Sequence, residues 1–103
     1  PNILIMDEPT SNLDFGNQIR VLRQISNLAK KGLAIVMTSH FPDHAFLCST
    51  QVALLEKNNK FRVGSANDIV TEENLKNAYG VNVKIITTNS GDGYEIKSCV
   101  PLL

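Results

Sequence analysis

The sequence predicts an α/β fold built on a parallel sheet and followed by a small α+β tail. Three observations carry this expectation. Two short apolar runs, "ILIM" at Ile3–Met6 and "LAIVMT" at Leu33–Thr38, flank one long amphipathic segment. Strand, helix and strand in that order, with a helix of that length, read as a right-handed crossover between parallel strands. After Val83 the chain alternates apolar and polar residues around turn residues, the pattern of an antiparallel hairpin.

Each element has a local reason. Ile3–Met6 is continuously apolar, so as a strand it is expected to bury both faces. Pro9–Asn12 is turn chemistry, and Asp14 offers a carboxylate as N-cap to the following helix. In that helix Phe15, Ile19, Leu22, Ile25 and Ala29 fall at helical spacing, and Val21 and Leu28 broaden the stripe. Lys30 and Lys31 complement the C-terminal dipole, and Gly32 supplies a left-handed stop. The second strand, Leu33–Thr38, leads into Ser39-His40. Pro42 suits the start of a short helix over Asp43–Cys48. Gln51–Glu56 and Phe61–Val63 form a hairpin across "KNNK", where Asn58 and Asn59 tolerate positive φ. Ser65–Val70 and Thr71–Tyr79 are short helices, the second opened by a weakened capping box of Thr71 and Asn74. Val83–Thr88 and Tyr94–Val100 are strands joined by the loop "NSGDG".

Composition excludes several classes. The chain has 103 residues, 43% hydrophobic and 19% charged, which is ordinary globular material. Ten Lys and Arg balance ten Asp and Glu, so no electrostatic case exists for a nucleic-acid surface. The apolar runs are too short to cross a bilayer. Cys48 and Cys99 match no zinc or redox spacing; two reduced thiols are the plainer reading, and one disulfide is the alternative. The chain enters a strand straight after Pro1-Asn2, which predicts a piece of a longer protein, because a buried strand needs neighbours on both edges.

The chemistry gathers at strand ends. Open α/β sheets bind ligands at the carboxyl ends of their parallel strands. Asp7 and Glu8 end the first strand and His40 ends the second. Two adjacent carboxylates repel each other, and a divalent cation between them and a phosphate relieves that repulsion. Mg²⁺ keeps most of its waters, so one of the carboxylates can hold it through water. The other, spared from the metal, can take a proton from an attacking water. His40 and His44 have the spacing of some zinc pairs, but Pro42 lies between them and no glutamate follows the first, which argues against zinc. His44 reads as a solvated or locally hydrogen-bonded helix residue.

"ILIMDEPTSNLD" at Ile3–Asp14 resembles the Walker B motif and D-loop of ATP-binding cassette (ABC) ATPases, and His40 in "VMTSH" resembles their switch histidine. The resemblance implies the C-terminal half of a P-loop NTPase (RecA-like) nucleotide-binding domain. It implies residues 1–80 as ATPase core with the following hairpin and helices, and residues 81–103 as a C-terminal hairpin tail. It makes Asp7 the Mg²⁺ carboxylate, Glu8 the catalytic base and His40 the contact to the γ-phosphate. Ser11, Asn12, Leu13 and Asp14 look like the D-loop, which crosses a nucleotide-sandwich dimer; Asn12 stands where the family more often has Ala. The implied cofactors are ATP and Mg²⁺. The implied partners are a second ATPase subunit and transmembrane permease subunits, with the protein peripheral on the cytoplasmic side of the membrane. From Phe41 onward, Gly64, Thr71, Glu73, Leu75 and Tyr79 resemble the ends of cassettes serving siderophore, haem, cobalamin or molybdate importers.

No Gly-rich loop ending in Gly-Lys-Ser/Thr occurs in the chain, and neither do the glutamine loop or the signature motif. By itself the chain is therefore expected to be inactive. In the family the phosphate-loop strand sits between the strand ending at His40 and the strand Gln51–Glu56. Its absence predicts two open edges and self-association or strand swapping. Two other functions fit less of the sequence: a soluble ABC ATPase of DNA repair or translation, and a non-enzymatic interaction or regulatory module.

Overall fold

The computed structural model describes residues 2–48 and 51–103, so Pro1, where the first strand is expected to begin almost at once, lies outside the described residues. Contacts divide the chain into two units, Pro1–Cys48 and Ser49–Leu103. The first holds β1 (Ile3–Met6), α1 (Phe15–Lys30), β2 (Ala34–Met37) and α2 (Asp43–Cys48). The second holds β3 (Val52–Leu55), a 3₁₀ turn (Lys57–Asn59), β4 (Phe61–Gly64), α3 (Ala66–Ile69) and α4 (Glu72–Tyr79), then β5 (Val83–Asn89) and β6 (Glu95–Pro101).

In the first unit β1 and β2 pair in parallel, with Ile3 opposite Ala34 and Met6 opposite Met37. The Thr38 N–H donates to the Met6 carbonyl at 3.1 Å and carries the ladder one step further. The crossover helix α1 begins where Asp14 accepts from the Asn17 N–H at 2.8 Å. It ends in a Schellman arrangement: Gly32, at φ 100°, donates to Ala29, and Leu33 donates back to Leu28. α1 packs on β2 and α2 and buries Leu22 and Ile25.

Two burial expectations fail here. The β1–β2 sheet is not buried on both faces: Leu4, Met6, Ile35 and Met37 are half-buried, whereas Ile3, Ile5 (76% exposed) and Val36 are open. Among the described residues these strands form a two-stranded sheet with α1 against one face, so the alternation that the side chains hide appears in their exposure. Phe15, placed in the core stripe, is 79% exposed, and Ala29 is exposed as well. A helix of 16 residues is about 24 Å long and a strand of 4 about 13 Å, so the ends of α1 overhang β2.

In the second unit β3 and β4 form an antiparallel hairpin with Val52 opposite Gly64. Its turn places Asn58 at φ 74° and Asn59 at φ 61°, the conformation those residues were chosen for. α3 packs on both strands, and Gly64 permits it: a Cβ there would stand 3.1 Å from Ile69 Cδ1. Thr71 caps α4 by accepting from the Asn74 N–H at 3.1 Å. The capping box stays open because the Thr71 N–H donates to the Ile69 carbonyl, which also accepts from the Asn74 side-chain amide. Leu75 is fully buried and joins Ile69 and Val70 in the core. β5 and β6 pair antiparallel around residues 90–94, where Gly91 and Gly93 take positive φ. No helix among the described residues is long and apolar enough to cross a membrane.

Candidate active site

Parallel pairing of β1 and β2 brings their carboxyl ends together, and the predicted chemistry meets there. His40 Nε2 lies 2.8 Å from Glu8 Oε1. Both side chains reach solvent, His40 with 77% of its side chain exposed. A carboxylate accepts only, so the proton of this contact sits on His40 Nε2. Asp7, one residue earlier, joins through Thr38, whose hydroxyl donates to Asp7 Oδ1. The same hydroxyl oxygen accepts from the Glu8 N–H at 3.0 Å. Asp7, Glu8, Thr38 and His40 thus form one hydrogen-bonded group across two strands.

Glu8 has φ 46°. For an L-residue with a side chain this conformation costs on the order of 1–2 kcal/mol, and such strain concentrates at functional sites. The turn that follows explains part of it, because the Glu8 carbonyl accepts from the Ser11 N–H at 3.1 Å. Thr10, within this turn, is buried, and its carbonyl accepts from the Leu13 N–H at 3.3 Å. Ser11 and Asn12 are exposed, with Asn12 at φ 65°, and Leu13 is half-buried. Asp14 is spent on capping α1. Of the four predicted D-loop residues, Ser11, Asn12 and Asp14 are exposed, and only Asp14 has its side chain engaged, as the cap of α1.

A second polar group holds the segment carrying His40. Ser39 Oγ accepts from the Phe41 N–H at 3.0 Å and lies 3.2 Å from His44 Nδ1. His44 is 6% exposed, with the Phe41 ring 4.9 Å away. Burial holds the His44 imidazole below its ordinary pKa, a shift partly offset by Asp43. So His44 is locally hydrogen-bonded, as one reading had it, but buried rather than solvated. The reason is that the first turn of α2 folds back onto Ser39. The two histidines bond to different partners, His40 to Glu8 and His44 to Ser39.

Among the described residues no three His, Cys, Asp or Glu side chains converge as a metal-binding group. The groups at the strand ends are the Asp7 and Glu8 carboxylates, the Thr38 hydroxyl and the His40 imidazole, all oxygen donors but the last. Such hard oxygen donors suit Mg²⁺ held largely by water rather than by a protein cage. A surface depression of about 330 Å³ in the second unit, lined by Glu56, Asn59, Lys60, Phe61 and Arg62, contains none of these residues. Sequence reasoning missed Thr38, reading it as the last residue of a strand. The available signal was its place two residues before His40, where a hydroxyl at a parallel strand end can reach the neighbouring strand's carboxylate.

No protein-family model matches the chain. It is 40% identical over 84 residues to an uncharacterized ABC transporter ATP-binding protein of Haemophilus influenzae, covering 82% of this chain and 32% of that protein. It is 35% identical over 82 residues to the vitamin B12 import ATP-binding protein BtuD of Escherichia coli O157:H7, covering 80% of this chain and 33% of that protein. The corresponding Vibrio cholerae protein is 32% identical over the same length. Among solved structures, an inward-facing ABC transporter assigned to the metal-chelate type superposes with a TM-score of 0.91. That match has 29% identity and covers 99% of this chain and 41% of the other. The chain spans about a third of the length of the curated relatives it matches, and it corresponds to the C-terminal part of the ATP-binding protein.

Proposed function

We propose that this chain, a homologue of the ATP-binding proteins of ABC transporters, supplies the hydrolytic side of a nucleotide site in an ABC importer. The observation that carries the reading is the contact between Glu8 and His40 at 2.8 Å, made at the joined carboxyl ends of two parallel strands. Ile3–Met6 with Asp7 and Glu8 acts as Walker B, Ser11 to Asp14 as D-loop and His40 as switch. Residues 1–80 serve as ATPase core and residues 81–103 as tail.

The roles follow from the chemistry of each side chain. Asp7 would hold Mg²⁺, and Glu8 would remain free to act on water. Bound Mg²⁺ supplies positive charge against the phosphates and the carboxylates. Glu8 accepts the proton of an attacking water. His40 donates through Nε2 to Glu8; when protonated it carries a second donor, Nδ1–H, that can face a phosphate oxygen. Ser11 and Asn12, exposed on their turn, meet a second ATPase subunit. The chain contains no Gly-Lys-Ser/Thr loop, so ATP binding needs residues outside it, and alone it does not hydrolyse ATP. The open edge of β2 invites strand addition or self-association in isolation.

The transported substrate is an iron-chelate or related metal complex, a reading supported by the metal-chelate and B12 importers among the relatives. The partners are transmembrane permease subunits, with the protein peripheral on the cytoplasmic face of the membrane. In the full ATP-binding subunit, Glu8→Gln is expected to lower hydrolysis about 10²- to 10⁴-fold while ATP binding persists. Unchanged hydrolysis would overturn the assignment.

A further inference from the structure

We propose that Thr38 is a positioning residue that sets the backbone of Glu8 and the carboxylate of Asp7 together; the proposal rests on the catalytic reading of Glu8. A hydroxyl has one proton and two lone pairs. Here the proton goes to Asp7 Oδ1 and a lone pair receives the Glu8 N–H at 3.0 Å. With the donor committed to one carboxylate and the acceptor to the next amide, the rotation of the Thr38 hydroxyl is fixed.

The backbone shows why this matters. The β1–β2 ladder ends where the Thr38 N–H reaches the Met6 carbonyl. Two residues later Glu8 turns to φ 46°, away from the extended conformation of the strand. Its N–H has left the ladder and is received by the Thr38 side chain. Thr38 thus closes the ladder with its backbone and holds the strained residue beyond it with its hydroxyl. These contacts join residues 30 and 31 apart in sequence, so they tie strand ends rather than close a local turn. Glu8 freed from this bond can relax to negative φ, which swings its carboxylate relative to His40. Thr38 is exposed, so water replaces the lost bond at little cost to folding. The consequence of losing it falls on geometry.

The test compares Thr38→Val, which keeps the shape and removes the hydroxyl, with Thr38→Ser, which keeps the hydroxyl. Both are made in the full ATP-binding subunit. Thr38→Val is expected to lower kcat about ten- to a hundredfold with KM for ATP within about twofold, and Thr38→Ser to stay within about threefold of the parent. Amide hydrogen exchange gives an independent readout: the Glu8 N–H is protected in the parent and in Thr38→Ser, and exchanges faster in Thr38→Val. Equal kcat in Thr38→Val and the parent, or equal damage by Val and Ser, overturns the proposal. So does an unprotected Glu8 amide in the parent, which needs no variant to fold. If Glu8→Gln leaves hydrolysis intact, the catalytic reading fails, and Glu8 exchange alone decides whether Thr38 positions it.

Discussion

Long-range side-chain hydrogen bonds are distributed differently in the two units. In Pro1–Cys48 they gather at one place, where Thr38 meets Asp7 and Glu8 and His40 meets Glu8. In Ser49–Leu103 they are scattered: the Ile85 N–H donates to Glu72, and Lys97 donates to Asn67, each fastening the last hairpin to a helix. Other side-chain bonds of that unit close caps and turns, as at Ser65, Thr71, Asn89 and Ser90, and Arg62 donates to Glu56 across the β3–β4 hairpin. Scattered ties hold elements in place. A cluster of acids, a hydroxyl and an imidazole on solvent-accessible strand ends contributes little to folding, and a strained backbone stands beside it.

Three measurements can break or sharpen that contrast, beyond the loss of hydrolysis expected for Glu8→Gln. The largest stability effect belongs to the second unit. Leu75→Ala removes a side chain with 0% exposure and is expected to cost about 2–5 kcal/mol, read from denaturant unfolding. A cost below 1 kcal/mol (about the scale of a surface change) would mean that Leu75 does not anchor that core.

The next effect is on pH. Burial depresses the His44 pKa in the folded chain below its ordinary 6.5, so the unfolded chain binds the proton more readily. Stability is fully present above 6.5 and falls as pH drops through the window between 6.5 and the lowered folded value. Thermal unfolding across this range should show a declining Tm, and His44→Gln should flatten the part of the slope that His44 contributes. A slope unchanged in His44→Gln would assign the pH dependence to other groups.

The smallest effect tests the site itself. His40→Ala removes a solvent-accessible hydrogen bond to Glu8 and should change stability by less than about 1 kcal/mol, while hydrolysis by the full subunit falls. A large drop in Tm would make His40 a structural residue and dissolve the contrast between the units.

Much of this was legible in the chain, and for a common reason. Asp14 as cap, Gly32 as stop, Asn58 and Asn59 at positive φ and Thr71 opening α4 all depend on residues within one turn of each other. The acids at the end of β1 and the histidine after β2 were legible because apolar runs mark where strands end. Burial was less legible. The apolar run of β1 states that a face can be buried, but exposure at Ile5 and Phe15 depends on what packs against them.

Local backbone chemistry and hydrophobic period determined the elements, their order and the residue types offered at each strand end. Only tertiary pairing decided which of those residues meet. Register set Met6 opposite Met37 and so brought Thr38 to Asp7 and Glu8. That contact crosses about thirty residues of chain and exists only when two strands align, so the sequence around Thr38 offers a hydroxyl at a strand end but does not say which residues it meets.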